Sequence, residues 1–186
     1  AIKKGKNLIA FEIAKQQCER FLQQELESLK HHDLEIVAIE EKRKIAFDIP
    51  ELNFPIFLKG KADRVDKIGD CLRIIDYKTG KVTDAQLKIE KDWDHFIDDY
   101  KYSKAFQVLF YALLFQKEAK NSTMESGIIS FKNLNAGFLK FQKKTEKYGV
   151  TETEITAEVI QDFEKELSNL IREILDPSIP FIEKEV

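Results

Sequence analysis

GKADRVDKIGDCLRIIDYKTG, residues 60–80, decides the fold. Two runs rich in β-branched and charged residues flank Lys67-Ile68-Gly69-Asp70, a turn sequence, so the stretch is expected to form a β-hairpin. A turn centred between Ile68 and Gly69 sets Asp63 against Ile74 and Asp76 against Lys61. Strand side chains alternate, so Asp63, Ile74, Asp76 and Lys78 share one face, while Arg64, Ile75 and Tyr77 take the other. Asp63 and Asp76 then become diagonal neighbours, about 7–8 Å apart at the backbone. A slip of one residue would put them on different faces.

Outward from the hairpin, residues 34–49 (LEIVAIE, then KIAFDIP) form a further strand candidate, closed by the loop between Pro50 and Pro55. With 56–66 and 71–78 it makes an antiparallel meander. Residues 7–30 place Leu8, Phe11, Ala14, Cys18, Phe21, Leu22, Leu26 and Leu29 at helical spacing, with Cys18 expected as an inert buried thiol. His31-His32-Asp33 closes that helix as a polar loop. Its two histidines have no second pair nearby to share a metal.

Beyond Gly80, residues 81–101 are polar and carry Trp93, expected to pack on the core. Ala105, Val108, Leu109, Ala112, Leu113 and Phe115 mark a second helix ending near Ala119. Residues 125–131 and 137–142 are strand candidates joined by the turn LNAG. Thr156 is the expected N-cap of a last helix, with Glu158 in its first turn and Asp176-Pro177 beyond its end at Leu175. The order, helix–three strands–helix–strand, is an α/β arrangement with a mixed central sheet flanked by helices.

At 186 residues, 43% hydrophobic and 34% charged, the chain is large enough to bury a core as one domain, residues 1–186. Two cysteines exclude a disulfide scaffold and a four-cysteine iron–sulfur cluster. The sequence has neither a run of roughly 20 apolar residues nor a secretory leader, so no membrane partner and a cytoplasmic setting are expected. The net charge of −3 advertises no global affinity for nucleic acid. GxxxxGK[ST] and GxSxG are absent. The opening at Ala1, without Met, suggests a carboxy-terminal piece of something larger.

Two carboxylates about 6 Å apart repel by roughly 3 kcal/mol at an effective dielectric near 20. A cation between them relieves this, and so does a proton. Lys78 brings one positive charge to that face. A hard divalent ion, Mg²⁺ or Mn²⁺, would bring more and prefers oxygen donors, here Asp63, Asp76 and the backbone carbonyl of Tyr77. Such a site suits metal-assisted phosphodiester hydrolysis. By spacing alone, the same residues also suit a solvated Asp–Lys ladder on a surface hairpin.

GKADRVD and LRIIDYKTG, followed by Gln107 and Tyr111 in KAFQVLFYALLF, resemble the three motifs of the PD-(D/E)XK nuclease superfamily. They are most similar to its RecB-like branch, found in bacterial helicase–nuclease repair machines of the AddB type. The resemblance runs over about residues 36–115. It implies a restriction-endonuclease-like core (αβββαβ) and divalent-metal-dependent DNA cleavage leaving a 5′-phosphate, in DNA repair or recombination. It also implies DNA and a helicase region or subunit as partners.

By the same resemblance Asp63 and Asp76 are metal ligands and Lys78 is the catalytic lysine. Gln107 and Tyr111 shape the site and contact the DNA backbone, and Glu40 stands where the family often has an acid on the first strand. Arg64 and Asp66 suit a structural salt bridge. The branch usually adds a histidine ligand on an upstream helix, which this chain lacks; Glu12 or Glu19 is the nearest helical acid. The alternative reading is therefore a domain that kept the fold, lost the chemistry and serves as a DNA-binding or scaffold module. Lys140, Lys143, Lys144 and Lys147, with Phe141 and Tyr148, form a basic stretch suited either to a DNA backbone or to a solvated edge.

Overall fold

The structure, a computed structural model, describes residues 4–120, 122–145 and 150–180. The elements run α1 (Lys6–Leu29), β1 (Leu34–Phe47), β2 (Ile56–Ile68), β3 (Cys71–Lys78), β4 (Lys88–Ile89), α2 (Ser103–Phe115), β5 (Thr123–Ser130), β6 (Phe138–Lys140), β7 (Gln142–Lys144), β8 (Thr151–Glu152) and α3 (Ala157–Leu175). β1, β2, β3, β5 and β6 form a five-stranded sheet in that order. Only β3 and β5 are parallel within it, joined by a crossover that contains α2. This is the expected mixed sheet between helices, with the αβββαβ order in place. β4, β7 and β8 make a small second sheet. No helix among the described residues is long and apolar enough to cross a membrane.

The α2 side of the sheet holds the main core. Leu58, Ala62, Val65, Leu72, Ile74 and Ile128 meet Ala105, Val108, Leu109 and Ala112 of α2 and Phe163 and Leu167 of α3. α3 starts as its sequence dictates, with Thr156 Oγ1 accepting from the Val159 amide at 3.3 Å. Trp93 packs edge-on against Phe96 at 4.9 Å, at the margin of this core. Gly127 permits the β5–β6 contact: a Cβ there would lie 2.1 Å from the Leu139 carbonyl oxygen.

The hairpin turn is Gly69-Asp70, with Gly69 at φ 56°, and Ile68 pairs Cys71. Val65 therefore faces Ile74 and Arg64 faces Ile75, not the expected Asp63–Ile74 pair. The offset is two residues, so every side chain keeps its expected face. The next step along the ladder would set Asp63 straight against Asp76. Alternation itself breaks nearby. Leu58 and Ala62 share the α2-side core with Val65, an odd number of residues on, and Glu40 on β1 takes φ 54°. Side-chain alternation in the β1–β2 ribbon thus breaks at Glu40 and Asp63, while the register runs on unshifted from Ile39–Arg64 to Glu41–Ala62; the register shift of this pair lies nearby, between Ile36 and Ala38.

α1 departs from expectation. It meets the sheet along a narrow stripe, Gln17, Phe21, Glu25 and Ser28, and none of its residues is buried. Leu8, Phe11, Leu22, Leu26 and Leu29 are exposed, and so is Cys18, which is not the buried thiol expected. The cause is a charge: Glu25 accepts from Arg64 Nη1 at 2.5 Å, which sets the rotation of the helix and turns its leucines aside. Phe21 alone reaches the sheet as an apolar anchor, 5.6 Å from both Tyr77 and Phe131.

Candidate active site

β2 and β3 are laddered from the turn as far as Arg64 and Ile75. There the Tyr77 amide donates to Asp63 Oδ2 at 2.8 Å, so a carboxylate stands in place of the next rung and the strands part. β3 keeps its other neighbour: Asp76, Tyr77 and Lys78 remain paired with Ile128, Ile129 and Ser130 of β5. The diverging strand therefore carries Asp63, and the supported one carries Asp76 and Lys78.

Asp76 is 4% exposed. Its Oδ1 accepts from Gln107 Nε2 at 3.2 Å. Its Oδ2 lies 2.8 Å from Lys78 Nζ as an ion pair, but this buried oxygen has no partner in hydrogen-bond geometry. Gln107 Nε2 also lies 3.1 Å from the Tyr111 hydroxyl, as the i, i+4 spacing on α2 allows. Gly60 lets α2 sit this close: a Cβ there would lie 2.6 Å from Leu114 Cδ1 and 3.3 Å from the Phe110 ring. Asp63, Asp76, Lys78, Gln107 and Tyr111 thus converge at the point where the two strands divide.

Burial pushes the Asp76 carboxyl above the usual aspartate range. The Asp63 charge adds to this, while Lys78 and Lys104 pull against it. Lys61 is raised by its hydrogen bond to Glu40, with Asp63 and Tyr111 also acting on it. Glu40 is therefore tied to Lys61 at the rim and touches neither aspartate's hydrogen-bond partners. Lys104 thus acts on the charge of Asp76 and Lys61 interacts with that of Asp63. Lys104 was findable from spacing, because it precedes Gln107 by one helical turn, and Lys61 stood opposite Asp76 in the expected hairpin.

The other face of the hairpin is structural, as expected for Arg64 and Asp66. Fully buried Asp66 accepts from Arg64 Nε at 2.6 Å and from Arg73 Nε at 2.7 Å. The Tyr77 side chain lies on this face too, its hydroxyl accepting from Arg64 Nη1 at 3.2 Å. Burial opposes the Arg64 charge, yet the hydrogen bonds it donates to Glu25 and Tyr77 hold the guanidinium above its ordinary range. The helical acid that reaches the sheet is Glu25, not Glu12 or Glu19, and it serves the arginine.

The loop after Lys78 is held by Ser130, whose hydroxyl donates to the Gly80 carbonyl at 2.8 Å and accepts from the Val82 amide at 3.1 Å. The basic stretch on β6 and β7 is neutralised. Lys140 pairs with Glu125, Lys143 with Asp162 and Lys144 with Glu90, while Phe141 is fully buried. Lys147 and Tyr148 lie outside the described residues.

The donor set suits a hard cation. Two carboxylates and the Tyr77 backbone carbonyl are oxygen donors, and the buried Asp76 Oδ2 lacks a hydrogen bond that a cation's field would replace. Among the described residues no third Asp, Glu, His or Cys joins them to complete a metal cluster.

No curated protein matches the chain. The sequence profile of the PD-(D/E)XK nuclease superfamily, whose members generally are nucleases that use divalent metals, matches residues 7–185. The profile spans both flanking helices and every residue that converges on Asp76, and on this match the chain belongs to the PD-(D/E)XK nuclease superfamily.

Proposed function

We propose that this chain is a divalent-metal-dependent deoxyribonuclease domain of the RecB-like branch, working in DNA repair or recombination beside a helicase region or subunit. The observation that carries the reading is the convergence of Asp63 and Asp76 where β2 and β3 part, with Lys78 and Gln107 both fastened to Asp76. Asp63, Asp76 and the Tyr77 carbonyl would hold Mg²⁺ or Mn²⁺, which when bound polarises the scissile phosphate and acidifies a water.

The chain's own groups supply the rest. The Tyr77 amide fixes Asp63, and Gln107 fixes the plane of the Asp76 carboxylate. Lys78 leans on that carboxylate with its ammonium only partly buried, 28% exposed at the side chain. From there it meets an incoming phosphate and stabilises negative charge as it develops. Tyr111 holds Gln107 in register. The resemblance supports a 5′-phosphate product.

The test uses linear duplex and single-stranded DNA with Mg²⁺ or Mn²⁺. Lys78→Ala and Asp76→Ala are expected to lower cleavage about 10²-fold or more. Unchanged cleavage in both would overturn the reading. One observation favours the alternative of a catalytically incomplete scaffold: among the described residues no third Asp, Glu, His or Cys side chain joins the carboxylate pair. Calorimetric titration with Mn²⁺ separates the two. A nuclease site loses its binding heat in Asp76→Ala, whereas a scaffold gives equal heats for wild type and variant.

A further inference from the structure

The flank of α1 that carries its leucines faces the open edge of the sheet. Arg20 donates to Asn135, in the segment after β5, and Glu25 accepts from Arg64 on β2. The sheet order β1–β2–β3–β5 therefore puts β1 beyond the opposite flank of the helix. At about 100° per residue, Phe11, Cys18, Leu22, Leu26 and Leu29 all fall on that flank, to one side of Phe21. Ile36 and Ile39 of β1 pair with Asp66 and Arg64, so they lie on the same face of the sheet as α1. Helix flank and strand are thus two walls of an apolar trough, in which Leu26 is 63% and Ile39 64% exposed. β1 is the outermost strand there.

The chain also carries a body of the right shape to fill this trough. Residues 6–16 of α1 are exposed on every side, so about 16 Å of helix runs clear of the sheet as an arm. The arm has Leu8 and Phe11 on the leucine flank. Ala10 and Ala14 lie on the side that Phe21 turns to the sheet, where small side chains permit close approach. Charge decides the direction of pairing. Lys15 stands in line with the apolar stripe, 3.9 Å from Glu19. Two parallel helices would set Lys15 against its own copy. Two antiparallel helices set it near Glu19 of the second copy, with their dipoles opposed. The tip of the arm, with Lys4 and Lys6, then reaches the end of the trough, where Asp33 and Glu35 border a hollow of about 380 Å³ beside a single lysine, Lys67. The area is sufficient. Phe11, Leu22, Leu26, Leu29, Ile36 and Ile39 expose on the order of 600 Å² per chain, and a stable interface buries roughly 800 Å² per partner, part of it polar.

We propose that α1 and β1 form a homodimer interface: two copies pair their α1 helices antiparallel about a two-fold axis near Cys18, and the arm of each lies in the trough of the other. Such a contact is isologous and closes on itself. It depends on the packing of α1 and on nothing at the Asp63–Asp76 pair, which lies towards α2 and stays uncovered.

The experiment is sedimentation equilibrium of the whole chain over about 1–100 µM. Wild type is expected to reach twice the chain mass of 21.7 kDa. Phe11→Asp in the arm and Ile39→Asp in the trough should each raise the dissociation constant about ten-fold or more. Ile174→Asp, on the exposed side of α3, should leave it unchanged. All three positions are exposed, so circular dichroism should show the variants folded. Direction is read by cross-linking in a background of Cys18→Ser and Cys71→Ser. Leu8→Cys and Leu29→Cys chains should join through a short bismaleimide when mixed, and neither should join to itself. A chain that stays monomeric at about 100 µM overturns the proposal. So does a dimer indifferent to both Phe11→Asp and Ile39→Asp, and so does cross-linking of Leu8→Cys to its own copy.

Discussion

The two faces of the sheet are held by different physics. On the α2 side, Val65, Leu72, Ile74 and Ile128 meet two helices in a continuous apolar core that contains the largest fully buried rings, Phe115, Phe141 and Phe163. On the α1 side a small cluster around Ile75, Ile129 and Leu134 is bordered by the Glu25–Arg64–Asp66–Arg73 chain of ionic hydrogen bonds. The apolar face supplies most of the stability, because non-directional burial scales with area. The ionic face supplies orientation: it sets the rotation of α1 and clamps the reverse side of the hairpin that presents Asp63 and Asp76. The candidate site sits at the boundary of the two, with its carboxylates on the core side and the Tyr77 ring on the ionic side.

Substitutions on each face put that division at risk. The largest effect is expected on the apolar face. Phe163→Ala removes a ring packed at 5.3 Å on Phe106 and 6.2 Å on Phe96, and should cost about 3–5 kcal/mol in urea unfolding. On the ionic face, Asp66→Ala leaves Arg64 and Arg73 without their buried carboxylate and should cost about 3 kcal/mol. It should also loosen α1, read as faster amide exchange along residues 17–28. Phe21→Ala, on a helix that is mostly exposed, should cost only about 1 kcal/mol. If Phe21→Ala proved as costly as Phe163→Ala, the two faces would not differ as described.

The smallest effect carries the opposite sign. Asp76 is held above its unfolded pKa mainly by burial, so ionising it opposes folding. The contribution of Asp76 to stability is therefore fully present below the unfolded aspartate value of about 3.9 and is lost as pH rises through the folded pKa. At neutral pH, Asp76→Asn should melt slightly above wild type, by less than about 1 kcal/mol, while losing cleavage. A lower melting temperature for Asp76→Asn would show that the Lys78 ion pair outweighs the burial.

Features encoded locally were legible in the sequence. Thr156, with apolar residues at helical spacing behind it, fixes α3, and β3 spans the expected residues 71–78. The hairpin register was misplaced by two because Gly69 takes the left-handed turn position and moves the loop one residue on; the faces survived because two is the strand period. Gln107 and Tyr111 were findable because one helix carries both. The rotation of α1 was not, since periodicity marks an apolar side without saying whether anything covers it; a bond from Arg64 on a distant strand decides that.

Ser130 has a consequence for timing. Its single hydroxyl ties down the chain on both sides of Lys81, immediately beyond the strand that ends at Lys78. The ammonium is thus mounted on a short, doubly anchored arm, and its swing is limited by a residue half a hundred positions away in the chain. Loosening that anchor would leave the arm's average position alone while widening its excursions, a defect of punctuality in which the reactive geometry is visited less often in each unit of time.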